Sequence, residues 1–214
     1  MKLNSNVGVI IGIVVLCAGL LFIASFARAP EPATPFPAVR ADDHVKGATS
    51  SPVVLVEYLD FECEACGAYY PIVKQMEEEF GDRVTFVARY FPLPGHKNGL
   101  PAALAVEAAS RQGKFWEMHN LMFDRQKDWG EKQVETPEVF EGFALELGLN
   151  MEQFKADVAS EEVLARVMRD MEEGRQAGAN STPTFFLNGM KIQNPQSPEA
   201  FRALLQSQVD KAGS

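Results

Sequence analysis

The chain has 214 residues, three cysteines and a formal net charge of −9. That length holds one domain with a sizeable core plus extra segments. The acidity excludes the basic stripe that grips phosphates, so no nucleic-acid partner is expected, and one close cysteine pair is too few for a disulfide-stapled scaffold.

Val7 to Ala27 carries no charged residue over 21 positions. A helix of that length crosses a hydrocarbon core of about 30 Å. Two readings compete, a signal cleaved after Ala29 and an uncleaved signal anchor. The apolar run exceeds the usual signal core of about 7–15 residues, and Pro30 sits awkwardly after a cut, which favours the anchor. Residues 1–27 are therefore read as one transmembrane helix, with the bulk of the chain exported. Residues 28–50 follow with Pro30, Pro32, Pro35 and Pro37 among small residues, the composition of a semi-extended spacer.

The globular part is read from residue 51. Val53 to Leu59 is short, apolar and rich in β-branched residues, the signature of a buried strand. Glu57 is its odd member, because a carboxylate in a buried strand is costly unless neutralised or paired. The strand runs into Cys63-Glu64-Ala65-Cys66 and then a helical pattern as far as Phe80, with Gly81-Asp82 as its stop and Pro71 predicting a kink or break. A C-x-x-C that ends a strand and opens a helix points to a dithiol/disulfide redox site. It does not point to zinc: four ligands are needed, and His44, His96 and His119 are scattered. Val84 to Phe91 reads as a second strand, stopped by Pro92 and Pro94.

Residues 98–179 are helical in every pattern. Phe115, Met118, Leu121, Met122 and Phe123 fall at helical spacing and read as core, and Pro137 opens a segment that reaches Leu147. From residue 180 the pattern returns to strand. Thr184 to Leu187 leads to Asn188-Gly189, the strongest short hairpin signal, then Met190-Lys191-Ile192. Ser197-Pro198-Glu199 starts a last helix to about Val209.

This order resembles that of exported thiol:disulfide oxidoreductases of the DsbA type, especially their membrane-anchored bacterial versions. The resemblance covers about Asp43 to Val209. Its carriers are the 56–66 block with Cys63 and Cys66, Arg89-Tyr90-Phe91-Pro92-Leu93, Phe115-Trp116-Glu117-Met118-His119, and Ser181-Thr182-Pro183-Thr184-Phe185. It implies a thioredoxin-like α/β fold made of residues 51–97 and 180–214, with residues 98–179 as an inserted helical domain. It further implies that Cys63 is the reactive thiol, Cys66 the buried resolving thiol, Pro183 a cis-proline facing them with Thr182 before it, and Glu57 a buried proton-relaying acid. A plain strand-start proline and a structurally paired carboxylate are the bland readings of Pro183 and Glu57. Trp116 and His119 are read as packing residues.

The implied activity is transfer of a disulfide to reduced, unfolded secreted proteins, without a cofactor, by a monomer that a quinone-linked membrane partner recharges. A reductase or isomerase of the same fold, and a tethered binding or chaperone module with a structural disulfide, are the alternatives. The Glu64-Ala65 dipeptide departs from the Pro-His pair of the most oxidising members. A carboxylate beside Cys63 opposes its thiolate, so a milder oxidant is expected.

Overall fold

The computed structural model describes residues 37–213. Its strands are β1 (His44–Gly47), β2 (Val54–Leu59), β3 (Thr85–Tyr90), β4 (Thr184–Leu187) and β5 (Met190–Lys191). They form one sheet in the order β1-β3-β2-β4-β5. β2 and β3 are parallel, joined through helix α1 (Glu64–Phe80), as a strand–helix–strand unit requires. The other pairings are antiparallel.

The sheet is covered on both faces, which is why all six residues of β3 are buried. One face packs Leu55, Phe86, Phe185 and Leu187 against Val73, Met76 and Phe80 of α1 and Phe201 and Leu205 of the last helix, Pro198–Ala212. The other face packs Val56, Tyr58, Val87 and Phe186 against Met171 of the helix Glu161–Gln176. That helix comes very close: a Cβ on Gly174 would lie 2.8 Å from the Tyr58 ring and 2.9 Å from Phe91.

In chain order the helices after β3 are α2 (Gly99–Ser110), α3 (Phe115–Asp124), α4 (Gln126–Trp129), α5 (Pro137–Glu146), α6 (Met151–Val158) and α7 (Glu161–Gln176); Pro198–Ala212 is α8. The expected apolar stripe is core, since Phe115, Met118, Met122 and Phe123 are buried. They share one cluster with Leu59, Phe61, Cys66 and Tyr90, so helices and sheet meet directly at the cysteine pair. The hairpin forms as its dipeptide requires, with φ of 52° at Asn188 and 79° at Gly189.

Three details depart from the sequence reading. The spacer expected over 28–50 ends earlier, because His44–Gly47 pairs with β3 as an edge strand. Tertiary charge fixes that segment. Arg89, fully buried, grips the Asp43 carboxylate at 2.9 and 2.7 Å, and Arg40 bonds Asp43, Asp170 and Glu173. Helix α1 is unbroken through Pro71. Within the block read as helical over 98–179, the stretch carrying Phe115 to Phe123 stops at Asp124, and Arg125 separates α3 from α4. Among the described residues no helix is long and apolar enough to cross a membrane; the span read at Val7–Ala27 lies outside them.

Candidate active site

The chain leaves β2 at Leu59 and turns through Asp60-Phe61-Glu62 into α1. The Asp60 carbonyl accepts from the Cys63 N–H at 3.1 Å, which holds Cys63 as the N-cap of the helix. Its sulfur therefore faces the unpaired N–H groups of the first turn, where an anion is favoured. Cys66 lies one turn on, in the interior. The two exposures are 8 % and 1 %, and both residues are free thiols.

That difference sets the chemistry. The Cys63 thiol is pulled down to about 5, first by a hydrogen bond from the Cys66 thiol, against the opposing cost of burial, then by Thr182 and the N–H groups of Cys66 and Ala65. The Cys66 thiol is pushed well above its ordinary value, by burial first and then by the Cys63 sulfur and Glu57. One sulfur is anionic at neutral pH and its neighbour is protonated.

β4 brings the second half of the site. The Cys63 sulfur lies 3.4 Å from the Thr182 carbonyl oxygen, and the Thr182–Pro183 peptide is cis. The Thr182 hydroxyl is buried with no fixed hydrogen-bond partner, so it can turn to the sulfur. Glu57 sits on the α1 face of β2. It borders a cavity of about 20 Å³ with Tyr70, Lys74, Glu77, Trp116 and His119. A space of that size holds one water. Among the described residues no ion pair reaches the Glu57 carboxylate, and burial, with Glu77 adding its charge, raises it to about 8. Both causes oppose the charged form, so the neutral acid is favoured.

Sequence reasoning brought Glu57, Cys63, Cys66, Thr182 and Pro183 to one place and missed what surrounds them. Buried Asp60 donates its N–H to Cys66 Sγ at 3.5 Å and bonds His96 Nδ1 through its carboxylate at 2.7 Å. Gln126 donates one amide to the carbonyls of Phe61 and Cys63 at 2.8 and 2.9 Å. A Cβ on Gly67 would collide with that amide. His119, read as packing, is buried and held neutral, with burial driving it down to about 3. Among the described residues no cluster of acids, histidines and cysteines is placed to hold a metal.

The thioredoxin family model, described as "Thioredoxin", matches residues 40–207. The chain belongs to the thioredoxin family. Within it, the fold is that of the DsbA-type members, with helices inserted in the thioredoxin frame. A crystal structure of α-DsbA1 from Wolbachia pipientis superposes with a TM-score of 0.75 at 17 % identity, covering 85 % of this chain and 98 % of that one. A thioredoxin-like oxidoreductase from Silicibacter pomeroyi DSS-3 superposes with a TM-score of 0.66 at 26 % identity, covering 81 % and 93 %. Among curated sequences, the Na(+)/H(+) antiporter NhaA 1 of Mycolicibacterium vanbaalenii is 41 % identical over 156 residues. That match covers 72 % of this chain and 24 % of the antiporter. This thioredoxin-family chain spans about a quarter to a third of the length of the curated relatives it matches.

Proposed function

We propose that this chain is an exported thiol:disulfide oxidoreductase that passes a disulfide from Cys63–Cys66 to reduced, unfolded secreted proteins. One observation carries the reading. The Cys63 sulfur sits at a helix mouth, against Thr182 and ahead of a buried partner thiol, with its pKa brought down to about 5. A structural disulfide has no use for that asymmetry.

The cycle starts from the Cys63–Cys66 disulfide. A substrate thiolate attacks Cys63 Sγ, the Cys63–Cys66 bond breaks, and its electron pair goes to Cys66. Cys66 does not persist as an anion so far below its own pKa, and neutral Glu57 is the nearby acid that returns a proton. A second substrate thiolate then attacks the substrate sulfur of the mixed disulfide. Cys63 leaves as a thiolate, and its low pKa speeds that departure. The substrate loses two electrons and two protons. The enzyme gains both electrons and one proton, and the other proton enters solvent.

Export through the Val7–Ala27 segment, as anchor or cleaved signal, fits an oxidising compartment, where such bonds persist. A quinone-linked membrane oxidase is the class of partner that would recharge the pair. The oxidised chain, mixed with a reduced unfolded protein, is expected to yield one substrate disulfide per chain and two enzyme thiols. A pair that resists dithiothreitol, with Cys63 inert to alkylation near neutral pH, would show a structural bond instead. Acid trapping in cells decides direction: a mainly oxidised pair marks an oxidase, a mainly reduced one a reductase or isomerase.

A further inference from the structure

One titratable pair beside the cysteines has no part in that cycle. His96, in the loop between β3 and α2, borders the same open cleft of about 370 Å³ as Cys63. Its Nδ1 meets Asp60 Oδ2 at 2.7 Å. Asp60 is buried and itself pinned: its carboxylate accepts from the Glu62 N–H at 2.9 Å and the Leu93 N–H at 2.7 Å. The main chain of the same residue bonds the Cys63 N–H and the Cys66 sulfur. A buried carboxylate requires a cationic or hydrogen-bonding partner, and His96 fills that need.

Resting on the redox reading above, we propose that His96, held by Asp60, is the cation that balances the Cys63 thiolate, where the intervening Glu64-Ala65 offers only an acid. His96 is a positioning and electrostatic residue, and it transfers no proton. In the closing exchange the electron pair of the mixed disulfide passes to Cys63 Sγ, and the imidazolium faces the charge that develops there.

The charges around the ring come from every side. Asp60, Glu62 and Glu64 lie toward α1, Lys97 is adjacent, and Glu131 and Lys132 come from the loop after α4. Burial opposes the imidazolium, but Asp60 outweighs it, Cys63 and Glu62 add to the effect, and the ring's pKa is raised. Coupling is reciprocal: a thiolate that favours the imidazolium is favoured by it to the same degree.

His96→Gln tests this, because the amide still donates to Asp60 while the charge is gone. Its Cys63 pKa, read from thiolate ultraviolet absorbance, is expected to rise by about half to one unit. Its equilibrium with glutathione is expected to shift about three- to tenfold toward the enzyme disulfide. His96→Lys restores a cation and is expected to stay within about twofold of the parent. A His96→Gln chain that matches the parent in both measurements overturns the proposal. So does a His96→Lys chain shifted as far as His96→Gln. If the redox reading itself fails, the signature differs: Cys63 then resists alkylation in the parent chain too.

Discussion

The Cys63 thiol and the Thr182 carbonyl meet at 3.4 Å although 119 positions separate them in sequence. The contact joins the two parts of the chain that flank the helical block. It also places the Cys63 sulfur beside the cis Thr182–Pro183 peptide that leads into β4.

Alkylation should separate the two sulfurs by pH. Cys63 is expected to react with iodoacetamide along a curve whose midpoint lies near 5, while Cys66 stays unreactive to well above neutrality. Mass spectrometry of quenched samples reads both sites at once. Equal reactivity at the two positions would contradict the assigned asymmetry.

The reduced protein should draw stability from the same sulfur. The folded Cys63 pKa lies near 5, below its ordinary value of 9, so the contribution is fully present above about 9 and lost as pH falls through 5. At pH 7 it amounts to about 2 kcal/mol relative to Cys63→Ser. Denaturant titrations of both chains between pH 5 and pH 8 should diverge with rising pH; parallel curves would remove the claim.

Glu57→Gln should have two opposite effects. Glu57 has a raised pKa, so its favourable contribution is present below about 4.5 and lost as pH rises to about 8. The variant is therefore expected to be more stable at pH 7, by about 3 kcal/mol, with no gain at pH 4. It should also release Cys66 from the disulfide more slowly, by about tenfold or more, because the proton donor is gone. Stopped-flow mixing with a reduced peptide measures that step.

Much of this was legible beforehand, for identifiable reasons. The run Val53–Leu59, the C-x-x-C and the helical stretch to Phe80 are local patterns, and the fold realises them locally. Asn188-Gly189 names its own turn. β1 was not legible, because His-Val-Lys-Gly has little strand character and becomes a strand only through pairing with β3. The Asp60–His96 bond joins positions 36 apart, and no short-range pattern announces it. Pro71 signals a break locally, yet α1 runs on, held by the sheet beneath it.

Glu64→Gln isolates the charge beside the reactive sulfur. Glu64 is exposed in the first turn of α1, so its effect should be small and should fade with salt. Removal is expected to favour the reduced enzyme about two- to threefold in the glutathione equilibrium at low ionic strength. An unchanged or opposite shift would show that solvent already screens this carboxylate.

Gly174→Ala tests the frame rather than the chemistry. The added methyl would meet the buried rings of Tyr58 and Phe91, which have no room to withdraw. A loss of about 1–3 kcal/mol is expected from overpacking. An alanine variant as stable as the parent would mean that α7 can lift from the sheet at little cost.

The grip of Arg89 and Arg40 on Asp43, Asp170 and Glu173 works as a mechanical anchor point. Tension arriving from upstream loads these ion pairs and the edge strand behind them, on the far side of β3 from β2 and the cysteines.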